Sequence, residues 1–276
     1  MTLFGLLIGI LVPAIFNAMG LKMAYPEFIF AVIIASITGL SSLVTIYTCR
    51  SHLAPVELAI SDEKIKVSEI LKHKVGRLMF AFFVATLAQG LNSTLAMYYY
   101  RFSLQLDDQA IGKILILFII SLCCTIPLWV MASNKFSKSR LIALGTVGLG
   151  IVGSIGYPFF PAHQMEGPYL MAVLGGVLLG TTGLLESLLV DTAELQGLHA
   201  DTMGLVFGLW KFMAKSARAA AIAVGGKLLA FSGYSPSLPS SPNVATNIAW
   251  LFGPGVGILF VIAGIILLAG PKKTNP

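Results

Sequence analysis

The chain has 276 residues and a formal net charge of +6, with 57% hydrophobic and only 11% charged residues. Soluble domains carry a charge at about a quarter of their positions, so this composition excludes an ordinary soluble domain. We predict an integral membrane protein that contacts the lipid bilayer and no nucleic acid. Cys49, Cys123 and Cys124 lie in or at the ends of apolar runs, without the spacing of a metal site, and are interpreted as small core residues.

Long apolar runs recur along the chain and predict its secondary structure. A helix that crosses a hydrocarbon core of about 30 Å needs roughly 20 apolar residues, and runs of this length favour helices over a β-barrel. The predicted fold is therefore an all-α integral membrane protein with about eight transmembrane helices. The segments that meet the criterion are at about 3–20, 26–48, 76–100, 111–132, 140–158, 168–190, 203–231 and 247–270.

A charged stretch at residues 49–77 separates the second segment from the third. Its apolar residues Ile60, Ile65, Ile70 and Leu71 predict one side of a short surface helix whose charged side is solvated. A charge run is most often simply a solvated face. The functional alternative is a linker between two helical bundles.

Basic residues predict the orientation of the chain. They are concentrated at 49–77, in the loop at 133–140 and near the C-terminus. Because cytoplasmic loops are enriched in Lys and Arg, we expect these regions, the loop at 191–202 and both termini to be cytoplasmic. The expected location is the cell (inner) membrane, crossed several times.

The strongest candidate site lies between Glu186 and Tyr234, where one apolar segment ends in acidic residues and the next carries cations. Lys211, Lys215 and Arg218 recur at i, i+4 and i+7, so a helix places them on one face. A cation near the bilayer centre costs at least ~2.5–3.5 kcal/mol, so this face must avoid lipid. We predict that it lines a polar interior.

Glu186 is the predicted partner of Lys211. A short loop joins the two segments, so they are expected to be antiparallel neighbours with these side chains at similar depth. An ion pair would lower the insertion cost of both, either as a permanent structural pair or as part of a site. Lys215 has no obvious acidic partner in the sequence, so its expected partner is an anionic or hydroxyl-rich ligand.

The segment at 76–100 carries a polar stripe. Gln89 and Asn92, at i and i+3, share a face suited to hydrogen bonding with a sugar or similar solute. The alternative is bonding between helices, worth about 0.6 kcal/mol per contact. The tyrosines at 98–100 are interpreted as a membrane-interface belt. Acidic residues and histidines are scattered, so we predict neither an enzyme nor a metal or cofactor site.

The long polar stretch leaves six segments behind it. Six-helix halves joined by a long cytoplasmic loop are the building units of the major facilitator architecture. On that template, residues 1–48 form the last two helices of an N-terminal bundle, 49–75 the cytoplasmic linker and 76–276 a complete six-helix C-terminal bundle. The first four helices of the N-terminal bundle would be missing.

The candidate site also shows a more specific order of residues. Val190-Asp191-Thr192-Ala193-Glu194 is followed by Gly204, Trp210, Lys215 and Gly233-Tyr234. This order resembles the tenth and eleventh spans of the glycoside-pentoside-hexuronide:cation symporters, the melibiose-permease-like branch of the major facilitator superfamily. The resemblance covers essentially the whole chain, as spans five to twelve, and is most specific from Asp191 to Tyr234.

The resemblance implies symport of a sugar or similar polar solute with Na⁺ or H⁺ by alternating access, with the cation as co-substrate. Lys215 matches the family's cavity lysine near the cation and sugar sites. Asp191 and Glu194 match a cytoplasmic acidic pair that is associated with gating. The further residues assigned to the predicted cavity are Lys211, Arg218, Trp210, Gln89, Asn92 and Glu186.

Two departures from the family pattern keep alternatives open. The loop at 199–204 lacks the usual Arg, and the family's cation- and sugar-binding carboxylates, on its first, second and fourth spans, have no counterpart here. The alternatives are a truncated or split-gene product without independent transport, and a facilitator-type exporter.

Overall fold

A computed structural model describes residues 26–49, 67–71, 74–198, 200–235 and 241–268. Within these ranges every regular element is a helix. The chain divides into two compact units, Met1–Asp62 and Glu63–Pro276. The predicted segment at 3–20 and most of the predicted linker at 49–75 lie outside the described residues.

The described part of the first unit is one helix, α1 (Pro26–Cys49). Pro26 opens it, at a position where the missing N–H costs least. Three hydroxyls inside the helix donate to carbonyls four residues earlier, which satisfies polar groups in an otherwise apolar segment. These hydroxyls belong to Ser36, Ser42 and Thr48.

The second unit contains nine described helices. They are α2 (Val67–Leu71), α3 (Lys74–Tyr98), α4 (Asp108–Ser133), α5 (Lys138–Gly156), α6 (Glu166–Leu179), α7 (Leu185–Glu194), α8 (Ala200–Phe231), α9 (Pro242–Trp250) and α10 (Val256–Leu268). Tighter 3₁₀ turns extend α5 and join α6 to α7, and wider π turns extend α3 and join α9 to α10.

Five of the described helical stretches are long and apolar enough to cross a membrane. They coincide with five of the predicted segments and extend most of them by a few residues. α8 has 32 residues and is long enough as well, but its repeated cations make it too polar to be counted with these five. The five are Lys74–Ser103, Asp108–Ser133, Lys138–Phe159, Glu166–Glu194 and Pro242–Leu268.

The π turn between α9 and α10 has a local cause in Pro254. Proline donates no N–H, and its ring clashes with the carbonyl four residues earlier, which here is Trp250. Widening the turn relieves that clash and lets the helix continue. Ser241 begins the stretch as N-cap by accepting from the backbone N–H of Val244.

Small residues let the helices of the second unit approach closely. In lipid no hydrophobic effect drives helices together, so the association of helices depends on close packing. α5 and α10 meet at Gly150 and Gly257, where a Cβ on either residue would lie 2.5–2.6 Å from the carbonyl oxygen of the other. α10 also packs on α3, and α4 packs on α6.

α8 is attached mainly through α3. Its buried residues form a single stripe that includes Val206, Trp210, Ala217 and Ala221. A Cβ on Gly90 of α3 would lie 2.6 Å from the Ala221 Cβ. The remaining sides of α8 are largely exposed, which decides where its cations lie.

We expect Gly90→Ala to lower the free energy of unfolding by about 1–3 kcal/mol, because the Ala221 Cβ cannot rotate away from the added methyl group. The measurement is thermal unfolding of the purified protein in detergent. Gly208→Ala is the matched control, since a Cβ there meets nothing within 4 Å. Equal stability of the two variants would contradict the tight α3–α8 contact.

Candidate functional site

A 3₁₀ turn at Gly180–Leu184 sets the direction of α7 and therefore the position of Glu186. The hydroxyls of Thr181 and Thr182 donate to carbonyls three residues earlier, at 2.8 and 2.7 Å. Mid-helix 3₁₀ turns often mark functional hinges. The predicted segment at 168–190 contains no such break, although the residues Gly180-Thr181-Thr182-Gly183 are a readable signal for it.

Glu186 and Lys211 form an ion pair, as predicted. Lys211 Nζ lies 2.5 Å from Glu186 Oε1, and both side chains are about 60% exposed in the described structure. The pair therefore joins α7 to α8 at the surface of the second unit. Its geometry confirms that the two helices bring these side chains to the same depth.

Lys215 and Arg218 lie one and two turns beyond Lys211, and both are exposed. Neither has a carboxylate within ion-pair distance in the described residues. A helix of 32 residues is about 48 Å long at 1.5 Å per residue, and Lys215 lies at its middle. Within the part of the chain that the structure describes, a membrane-length helix thus carries an ammonium group without a carboxylate partner near its centre.

The exposed sides of α8 fall into two chemical types. Phe212 and Ile222 are 66% and 65% exposed and suit a lipid surface. Lys211, Lys215 and Arg218 do not, because a cation at the bilayer centre needs water or polar protein groups around it. This face therefore lines a polar space or packs against a polar surface.

Gln89 and Asn92 belong to a different place in the second unit. Together with Ser93 they line a cavity of about 310 Å³ enclosed by α3, α4, α5, α6 and the α9–α10 stretch. No lining residue is charged, and α8 contributes none. Within the described residues, the predicted cavity is thus divided into a cationic surface on α7 and α8 and a neutral cavity inside the helical bundle.

Trp210, which the sequence predicts to lie in the cavity, is packed inside the second unit in the described structure. It is 2% exposed and stacks on Phe82 with ring centroids 3.6 Å apart and planes at 7°. It therefore fixes α8 against α3. Trp210 directly precedes Lys211 in the sequence. Successive residues of an α-helix are about 100° apart around its axis, so Trp210 lies on the packed side of α8.

The interpretation of the tyrosines as an interface belt is wrong for Tyr99 and Tyr100. Both are buried, at 0% and 6% exposure, because the π turn at Tyr99–Ser103 continues the helix and turns them inward. Tyr99 Oη donates to the Tyr157 carbonyl at 2.7 Å, and its ring stacks on Phe252 at 4.7 Å. The rings of Tyr99, Tyr100, Tyr157 and Phe252 are in mutual contact and form an aromatic cluster.

Asp191, a predicted gate residue, is paired inside the second unit. Lys138 Nζ lies 2.7 Å from Asp191 Oδ2, and the side chains are 27% and 46% exposed. The pair joins the start of α5 to the end of α7, so these two ends lie on the same side of the unit. Glu194, the other predicted gate residue, is exposed one turn further on.

The long apolar helices define a class, that of multi-pass helical membrane proteins. A family model described as MFS/sugar transport protein matches residues 1–270. The chain belongs to this family, which points to a membrane transporter of sugars and not to an enzyme. No curated protein and no solved structure matches it.

We expect Lys138 and Asp191 to be energetically coupled by about 1 kcal/mol, since the pair is partly shielded from solvent. The measurement is a double-mutant cycle with Lys138→Gln and Asp191→Asn, read by thermal unfolding in detergent. Additive losses at Lys138 and Asp191 would contradict the pairing.

Proposed function

We propose that the protein carries out cation-coupled symport of a sugar or similar polar organic solute by alternating access, as in the melibiose-permease-like branch. The observation that carries this proposal is Lys215, an exposed cation at the centre of a membrane-length helix, with no carboxylate partner among the described residues. Intramembrane cations are costly and usually functional. In a sugar-transport family, the partner of such a group is the solute or a group that responds to it.

Lys215 is suited to bind a hydroxyl-rich solute. Its ammonium group has three donors and no acceptor, so the oxygens of sugar hydroxyls or of a carboxylate are its natural partners. Lys211 is held by Glu186, which leaves Lys215 and Arg218 as the available donors on this face. Gln89 and Asn92 line the neutral cavity inside the bundle, so they are less suited to bind the same solute as Lys215 than the sequence predicts.

The cationic surface supplies one side of a binding site. We propose that the carboxylates that a coupled Na⁺ or H⁺ would need come from segments outside the described residues. Alternating access then requires the ends of the bundles to open and close in turn. Asp191 and Glu194, on the side expected to be cytoplasmic, are the proposed gate residues, with Lys138 holding Asp191 in position.

The genomic context separates this proposal from the fragment alternative. An adjacent or in-frame reading frame that encodes four spans with intramembrane aspartates would favour the transporter. Coexpression of both parts should then give uptake that neither part gives alone. If no such frame exists, cation coupling by this protein is overturned, and a non-transporting fragment is the better account.

In the complete transporter, we expect Lys215→Ala to abolish accumulation of solute against a gradient, because the central donor is lost. The measurement is uptake of radiolabelled sugars into membrane vesicles, with the amount of protein checked by immunoblot. Lys227→Ala is the matched control, a lysine on the same helix about three turns nearer its end. Unchanged accumulation by the Lys215 variant would contradict the assigned role.

Uptake should also depend on an ion gradient. In vesicles, an imposed Na⁺ gradient or an imposed pH gradient should raise the accumulated solute above the external level, and an ionophore that collapses the same gradient should return it to equilibrium. The ion whose gradient has this effect is the coupling ion. Equilibration that is insensitive to both gradients would indicate facilitated diffusion instead of symport.

A further inference from the structure

The neutral cavity inside the second unit has the size of a ligand site but not the chemistry of a sugar site. Its volume of about 310 Å³ lies at the lower end of the ~300–1,000 Å³ that is typical of ligand pockets. Apolar side chains and glycines make up most of its wall, including Ile114, Ala172, Phe252 and Val256. A sugar would leave most of its hydroxyls unbonded there, at a large desolvation cost.

The charge of the wall limits the charge of the ligand. The lining residues are all uncharged. An ion would lose its hydration without gaining a counter-charge, which costs far more than burying a neutral group. The occupant is therefore neutral.

The polar groups of the wall are grouped, which gives the ligand a polar end. Gln89, Asn92 and Ser93 share one face of α3 at i, i+3 and i+4. Ser93 Oγ donates to the Gln89 carbonyl, whereas the side-chain amides of Gln89 and Asn92 meet no hydrogen-bond partner in the part of the chain that the structure describes. They offer donors and acceptors to a hydroxyl or carbonyl headgroup.

The wall also gives the ligand an apolar length. Along α3 and the π turn that extends it, the lining runs from Gln89 to Tyr100, which is about 16 Å at 1.5 Å per residue. Beyond the amides it continues over Ala96 and Met97 to the aromatic cluster at Tyr100, Tyr157 and Phe252. A volume of this size drawn out over that length is narrow, so it suits one flexible chain better than a fused ring system.

The cavity has a mouth through which such a chain can enter. Ser93 is exposed, and Met97 of α3 and Leu115 of α4 are 44% and 41% exposed. Ile114 and Phe252, at 1% and 2%, form deep parts of the wall. The entrance therefore lies between α3 and α4, beside the polar end.

We propose that this cavity binds a neutral single-chain amphiphile, with its hydroxyl or carbonyl headgroup on Gln89 and Asn92 and its hydrocarbon chain along Ala96 toward the aromatic cluster. The site is separate from the cationic surface of α7 and α8. It does not depend on transport activity.

The test is photolabelling of the full chain reconstituted in phosphatidylcholine vesicles, with a decanol that carries a diazirine in mid-chain. We expect saturable adducts, located by peptide mass spectrometry, on residues 89–100 of α3 and 252–260 of the α9–α10 stretch. Excess 1-decanol should compete, whereas decane at the same membrane concentration should not. Labelling that rises linearly with the probe, or equal competition by decane, would overturn the proposal.

Two substitutions locate the site. Ala96→Phe fills the cavity and should lower the saturable labelling at least tenfold, whereas Ala230→Phe, on an exposed part of α8, should leave it unchanged. Asn92→Leu should raise the probe concentration at half-saturation about fivefold, the effect of losing one hydrogen bond. Ala96→Leu serves as the smaller change if the Phe variant does not fold. Equal labelling of the Ala96 and Ala230 variants would overturn the assignment.

Competition by a neutral lipid distinguishes two sources of the same chemistry. Monoolein and 1-decanol share a hydroxyl headgroup and a single chain. If monoolein displaces the probe, the natural occupant is a single-chain membrane lipid. If only 1-decanol displaces the probe, the natural occupant is a small free amphiphile.

Discussion

The second unit depends on the close approach of helix backbones around α3. Lipid offers no hydrophobic force between helices, so their association rests on packing and on the few polar contacts between them. α3 meets α8 through Gly90 and Ala221 on one side, and meets α10 on another. Glycine and alanine at these contacts are therefore as important to the fold as large apolar residues are in a soluble core.

This packing also decides which polar groups are available. Because α8 uses one stripe of small and aromatic residues against α3, the cations on the rest of its surface stay outside the bundle. The amides of α3 point the other way, into the neutral cavity. One helix pair thus separates two chemical environments, a cationic surface suited to hydroxyl-rich or anionic groups and an uncharged interior suited to an amphiphile.

Features that depend on one segment could be predicted from the sequence, and those that depend on a neighbour could not. The apolar runs located five of the membrane-length helices because each run is self-contained. The Glu186–Lys211 pair was predictable because a short loop fixes the two helices side by side. The partner of Asp191, by contrast, lies 53 residues away on α5, and no local pattern links the two.

The misplaced aromatic residues have the same explanation. The sequence allows either a cavity or the core for Trp210, and either a membrane interface or the core for Tyr99. Trp210 packs in the core because it stacks on Phe82. Tyr99 does so because it contacts the rings of Tyr157 and Phe252. The π turn that directs Tyr99 inward also lacks a proline of the kind that marks the second π turn at Pro254.

The ion pair between α7 and α8 bears on how the chain is made. Membrane segments leave the ribosome in order, so Glu186 reaches the insertion machinery before Lys211. The cations Lys211, Lys215 and Arg218 disfavour the entry of α8 into lipid, and α8 attaches to the bundle mainly through α3. When it emerges, both the helix that receives it and the carboxylate that neutralises one of its cations are already present. The order of synthesis thus favours the insertion of a helix that would enter the bilayer poorly by itself.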